Sequence, residues 1–131
     1  KLVIPSNLKS QVRVLQNVGD QEKLELYHNA FAFLFLSFYE GFGFPVLEAT
    51  SAGVPVISSF ASSLSEIAGN FALLVNPFRA SQVAQGMLAL ERDTRLYQEL
   101  KTKGLAVAKQ FSWEKTAKQT LNLFNEITNN S

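Results

Sequence analysis

The sequence has no cysteine, which removes disulfides, thiolate nucleophiles and zinc-thiolate sites together. It has a single histidine, His28, so a multi-histidine metal centre is excluded. It also lacks a dominant charge: 12 lysines and arginines oppose 11 acids, for a formal net charge of +1. That balance gives no electrostatic case for nucleic acid or for an anionic membrane as partner. Long apolar runs are missing too. The longest, residues 30–36, falls far short of the ~20 residues needed to cross a bilayer. The only methionine is Met87 and the chain opens on Lys1, so a piece of a longer protein is expected. Nothing near the start has the charged, then apolar, then small-residue order of a signal peptide.

What is present has globular character. The chain has 131 residues, 47% of them hydrophobic and 11% aromatic, which suits one domain and is too apolar for disorder. Short apolar runs alternate with longer amphipathic ones. Residues 12–18 read as a strand broken by Gly19. Asp20 reads as an N-cap, with Glu22 favouring the positive end of a helix that runs to about Asn29. Residues 30–36 are apolar without alternation, the pattern of a strand buried on both faces of a parallel sheet. Residues 37–44 form a glycine-rich, aromatic loop. Pro45 suits the first position of a helix that reaches about Ala52 and is ended by Gly53.

Residues 54–58 and 71–75 give two further strands. Between them, Ser63-Leu64-Ser65-Glu66 has capping-box spacing for a short helix that stops at Gly69. Asn76-Pro77 turns the chain, and helices follow over 81–90, 93–110 and 112–128, with Ser112 as a cap. This order predicts an α/β fold: a Rossmann-like parallel sheet with helices on both faces and a helical C-terminus. Four strands are few for a self-sufficient doubly wound sheet, so further strands upstream of Lys1 are expected.

One segment carries chemistry. A buried strand leads into the loop around Gly41 and Gly43, and a proline-initiated helix follows. In open parallel sheets, ligands sit outside the carboxyl ends of the strands. The glycines permit close backbone approach, and the helix start offers free N–H groups at a positive dipole end. Together these suit an anion, most simply a phosphate. Glu40 in the loop and Glu48 about one turn into the helix flank that site. A carboxylate can accept two hydrogen bonds from a vicinal diol such as a ribose. Amides for phosphate and carboxylates for hydroxyls fit a sugar nucleotide. No lysine or arginine occurs between residues 24 and 78, so a basic residue from outside this segment is expected to neutralise a diphosphate.

These residues resemble the E-x7-E signature of family 4 retaining glycosyltransferases, which have the GT-B fold. The chain reads Tyr39-Glu40-Gly41-Phe42-Gly43-Phe44-Pro45-Val46-Leu47-Glu48-Ala49. Gly53-Val54-Pro55-Val56-Ile57 is similar to the strand that follows the motif helix. Ser62-Ser63-Leu64-Ser65-Glu66, Phe111-Ser112-Trp113 and Leu26-Tyr27-His28-Asn29-Ala30 resemble three further family segments, in order. Leu36 and Ser65 stand where many members have proline, Phe44 replaces the commoner leucine, and Phe60 a small or polar residue.

The resemblance implies most of the C-terminal, donor-binding half of such an enzyme, without its N-terminal acceptor domain. It implies Glu48 on the nucleotide's ribose and Glu40 on hydroxyls of the transferred sugar. The amides of Phe42, Gly43 and Phe44 would face sugar and phosphate, and Leu47 would lie near the nucleoside. It implies transfer of a hexose from a UDP- or GDP-sugar with retention, no metal and no other cofactor, and no activity from this segment alone. A basic pair that cradles the diphosphate is expected before Lys1. A cytoplasmic protein is expected, at most peripheral to the inner membrane face, with any membrane contact made through the absent domain.

Two other functions fit the same residues. One is a non-catalytic nucleotide-sugar-binding module or degenerate remnant. The other is a glycoside hydrolase using Glu40 and Glu48 as paired carboxylates. Elsewhere, His28 at a helix end is expected to be structural. Trp113 is expected to anchor against the domain rather than to stack on a sugar, and Phe31, Phe33, Phe35 and Phe71 are expected to be core. Lys101, Lys103 and Lys109 are expected on a solvated helix face. Asn129-Asn130-Ser131 matches a glycosylation acceptor at an end expected to fray.

Overall fold

Three short parallel strands form the sheet of the computed structural model, which describes residues 3–60 and 63–129. After a 3-10 turn at Ser6–Leu8, the elements run α1 (Asp20–Asn29), β1 (Phe33–Phe35), α2 (Phe44–Ser51), β2 (Val56–Ser59) and α3 (Ser63–Ala68). They continue with β3 (Ala72–Val75), α4 (Ala80–Arg92), α5 (Thr94–Ala108) and α6 (Trp113–Asn129). The sheet order is β1-β2-β3, with Phe33 opposite Val56 and Val56 opposite Ala72. Each strand thus reaches its parallel neighbour through a helix, as the crossover rule requires.

Side-chain alternation on the strands sends the apolar residues to two faces. Val56, Ala72, Phe33 and Phe35 pack on one side with Tyr27, Val46, Ala49, Leu64, Ala68 and Phe71. Ile57, Leu73, Val75 and Leu34 pack on the other with Val83, Leu90, Leu96 and Leu100. α2 and α3 cover the first face and α4 the second. α5 joins the two, with Leu100 in one cluster and Val107 against the other. The central strand β2 is buried along its whole length, as a strand with neighbours on both sides and both faces must be.

The sheet departs from the sequence reading in three places. Residues 12–18 form no strand, and Val12, Val14 and Leu15 are exposed. Alternating valines favour extended backbone, but a strand persists only where a ladder satisfies its N–H and C=O groups. Among the described residues, no partner pairs with them. The strand expected over 30–36 is only Phe33–Phe35 and is half-buried, because β1 has a neighbour on one edge only. Phe31, expected in the core, is 55% exposed and stacks on Tyr97 with ring centroids 4.9 Å apart.

The helix ends differ as well. Gly19 occupies the N-cap of α1 and Asp20 is its first helical residue. α2 opens at Phe44, so Pro45 is second and Glu48 fifth. Ser63 does not cap α3; it is the first helical residue, and its hydroxyl donates to the Glu40 carbonyl at 2.8 Å. Caps that do form are Asp93, which accepts from the Leu96 N–H at 2.9 Å, and Ser112, which accepts from the Lys115 N–H at 3.1 Å. Ser62, Asn130 and Ser131 lie outside the described residues, as does the acceptor asparagine's context at the chain end. Among the described residues, no helix is long and apolar enough to cross a membrane.

Candidate functional site

The loop between β1 and α2 is fixed from behind. The buried Ser59 hydroxyl, at the end of β2, donates to the Ser37 carbonyl, and Ser63 at the start of α3 donates to the Glu40 carbonyl. Ser37 spans the loop itself by donating to the Tyr39 carbonyl at 3.2 Å. Gly43 then turns the chain into α2 with φ +100 and ψ 43, a left-handed conformation that L side chains resist. Its carbonyl accepts from the Val46 N–H at 2.9 Å. Among the described residues, no backbone carbonyl accepts from the N–H groups of Phe42, Gly43 or Phe44. Gly43 and Phe44, as N-cap and first residue of α2, carry N–H groups that a helix start leaves unpaired, and such groups favour anions.

Glu48 projects from α2 into a groove of about 420 Å³. Phe42, Phe44, Leu47 and Ser51 line it on one side, and Phe111, Ser112, Trp113 and Thr116 on the other. The aromatic wall is continuous. Phe42 lies 4.8 Å from Phe44 and 6.0 Å from Phe111, and Phe44 stacks on Trp113 at 5.8 Å. Trp113 thus touches α2 through one ring face and stays 77% exposed. Phe38 leaves this group and stacks on Phe78 at 4.6 Å.

The carboxylate of Glu48 is held at both oxygens. Lys23 Nζ donates to Oε1 at 3.0 Å and the Tyr27 hydroxyl donates to Oε2 at 3.2 Å. Both donors come from α1, one turn apart. Lys23 also lies 3.6 Å from Asp20. The hydrogen bond to Glu48 pushes the Lys23 ammonium up from its ordinary 10.5. Tyr27 is buried against Phe33, edge to face at 5.3 Å, and burial together with the Glu48 charge pushes its phenol up from 10.0.

The structure brings Phe42, Phe44, Leu47 and Glu48 onto one groove. Glu40 is half-buried in the loop, and neither it nor Gly43, which is buried, nor Gly41, which is exposed, lines that groove. Sequence reasoning missed Lys23. The signal was faint but present: Lys23 is the last basic residue before the stretch without lysine or arginine, and it stands four residues before Tyr27. Nothing in the sequence says that α1 meets α2 there. His28 is exposed in the last turn of α1 and takes no part. Lys103 pairs with Glu99 at 2.6 Å on the exposed face of α5.

The sequence profile described as "Glycosyl transferases group 1" matches residues 2–107. The chain is 39% identical to the O-antigen chain mannosyltransferase B of Escherichia coli, over 95% of the chain and 32% of that protein. It is 28% identical to the MMP alpha-(1->4)-mannosyltransferase of Mycolicibacterium hassiacum, over 96% of the chain and 32% of the relative. Among solved structures it resembles a sucrose-phosphate synthase from Thermosynechococcus elongatus, with a TM-score of 0.82 and 29% identity. That likeness covers 95% of this chain and 32% of the other. The chain thus spans about a third of these relatives' length, and its three-stranded Rossmann-like sheet matches part of a GT-B architecture. By its motif, its fold and the profile that covers most of its residues, this chain belongs to the group 1 glycosyltransferases.

Proposed function

We propose that the chain is the donor-binding part of a hexosyltransferase that takes its sugar from a nucleotide sugar with retention of anomeric configuration and without a metal in the site. The observation that carries this reading is the Glu48 carboxylate, held at both oxygens beside the Phe42, Gly43 and Phe44 N–H groups, to which no backbone carbonyl among the described residues is hydrogen-bonded. Glu48 grips the ribose diol, and the amides of Phe42, Gly43 and Phe44 take the phosphate nearest the sugar. Glu40 takes hydroxyls of the transferred sugar, and Leu47 lies along the nucleoside. A general acid must offer a proton, whereas Glu48 accepts on both oxygens. That arrangement does not suit Glu48 to the general-acid role of a hydrolytic carboxylate pair.

Two of the relatives above are mannosyltransferases by name, so mannose is the first sugar to test. Acceptor recognition and the basic residues around the diphosphate belong to the rest of the protein. The test is incubation of the longer protein that contains this chain with GDP-mannose or UDP-glucose and a glycan acceptor in EDTA, followed by NMR of the anomeric proton in the transferred sugar. Transfer with the donor's configuration preserved is expected. An inverted product overturns the retaining assignment, and strict dependence on an added divalent ion overturns the metal-free one.

A further inference from the structure

The placement of Glu48 on a ribose is the ground on which this inference rests. Lys23 and Tyr27 approach different oxygens of one carboxylate from successive turns of one helix. A carboxylate oxygen has two lone-pair directions, so each oxygen keeps one for a ligand hydroxyl. Two hydroxyls of a vicinal diol need that pattern. A side chain held in its binding orientation beforehand loses less rotamer freedom when the ligand arrives. The Tyr27 ring supplies a rigid mount, because it is buried and braced against Phe33.

The second role is electrostatic. A diphosphate is an anion, and an uncompensated carboxylate beside it repels it. Residues 24 to 78 supply no lysine or arginine, and the ammonium of Lys23 lies 3.0 Å from Glu48. From this arrangement we infer that Lys23 and Tyr27 are positioning residues for donor binding. Tyr27 orients the Glu48 carboxylate toward a diol. Lys23 offsets its charge, so that one site accepts a neutral ribose and the diphosphate attached to it.

The two roles separate experimentally. UDP, GDP, their 2′-deoxy forms, uridine and guanosine serve as probes, titrated against the protein by calorimetry or ligand-observed NMR. For Lys23→Met, affinity for the preferred diphosphate falls about tenfold while affinity for its nucleoside changes less than about twofold, and the gap narrows at high salt. Lys23→Arg restores diphosphate binding. For Tyr27→Phe, nucleoside and diphosphate weaken alike, and the preference for ribose over 2′-deoxyribose shrinks. Damage to packing alone would lower every affinity without changing that preference or the salt dependence. Equal losses for nucleoside and diphosphate in Lys23→Met, or an intact ribose preference in Tyr27→Phe, overturn the inference while donor binding by the unaltered protein stands. If the unaltered protein binds neither UDP nor GDP, the donor-binding reading itself fails and takes this inference with it.

Discussion

A β-carbon on Gly43 would stand 2.6 Å from Leu64 Cδ2, and Leu64 is fully buried. The glycine loop and α3 are therefore packed without room between them. The same α3 holds the loop through Ser63, whose hydroxyl donates to the Glu40 carbonyl. A packing contact and a hydrogen bond thus fix both ends of the turn that presents the orphan amides. The site's geometry rests on the tertiary position of α3 as much as on the local freedom of glycine.

Gly43→Ala is expected to destabilise the fold by about 1–3 kcal/mol, since it adds left-handed backbone strain to the contact with Leu64. Gly41→Ala adds a methyl with nothing within 4 Å and is expected to stay within about 0.5 kcal/mol of the parent. Chemical denaturation of both variants checks this. Equal midpoints would show that the loop relaxes around the added carbon.

Gly104 in α5 poses a contest between propensity and packing. Alanine is favoured over glycine inside a helix by about 1 kcal/mol. A β-carbon there would lie 2.8 Å from Thr50 Cγ2, in the contact between α5 and α2. Packing wins in a close-packed interior, so Gly104→Ala is expected to lose about 1–3 kcal/mol despite its better propensity. The Thr50 hydroxyl is buried without a hydrogen-bond partner among the described residues. Thr50→Val keeps the shape and removes that unpaired group, so it is expected to be neutral or stabilising by up to about 1 kcal/mol. In thermal melts Gly104→Ala should fall below the parent and Thr50→Val should match or exceed it.

Alkaline pH tests the grip on Glu48. Tyr27 and Lys23 both have folded pKa values raised above their ordinary 10.0 and 10.5. Groups raised in this way hold more protons in the native state than in the unfolded one across that window. Their stabilisation is complete below about pH 10 and is lost as pH climbs through the folded values. The melting temperature is therefore expected to fall as pH rises above about 10. In Tyr27→Phe the decline should be shallower, from a lower starting point at neutral pH. A profile with the same slope in parent and variant would mean that Tyr27 does not titrate differently on folding.

Much of this was legible in the sequence, for identifiable reasons. The helices over residues 20–29, 44–51 and 113–129 announce themselves by proline, glycine and capping chemistry, which are local. Ser112 caps α6 as its place before the helix suggests, while Asp93, read from the sequence as a helical residue, caps α5 instead. Residues 12–18 were not legible, because strand pairing is a property of two segments and the sequence shows one. Ser63 has the right spacing for a cap, yet its hydroxyl is drawn to a carbonyl of the glycine loop that no local pattern reveals. Lys23 escaped for the same reason: its partner lies 25 residues away, across two helices whose contact only the fold creates. Of the residues that the family resemblance implied at the site, Phe42, Phe44, Leu47 and Glu48 line the groove, and Glu40, Gly41 and Gly43 do not.

The two acidic residues of the motif should separate by ligand. Glu48→Gln keeps the side chain's size, removes its charge and leaves Lys23 with only the more distant Asp20. A lost hydrogen bond to a charged group costs about 1.5–3 kcal/mol, so binding of the nucleoside is expected to weaken about tenfold to a hundredfold. The diphosphate should suffer less, because the released Lys23 charge now attracts the phosphates and recovers part of the loss. Glu40→Gln should leave the nucleoside diphosphate within about twofold and weaken only the complete sugar nucleotide, whose sugar hydroxyls Glu40 is proposed to hold. Titration of both variants with GDP, guanosine and GDP-mannose, and with the uridine series, reads out the assignment. If Glu40→Gln loses free diphosphate as strongly as sugar nucleotide, the division of labour between the two carboxylates is wrong, even with Glu48 on the ribose.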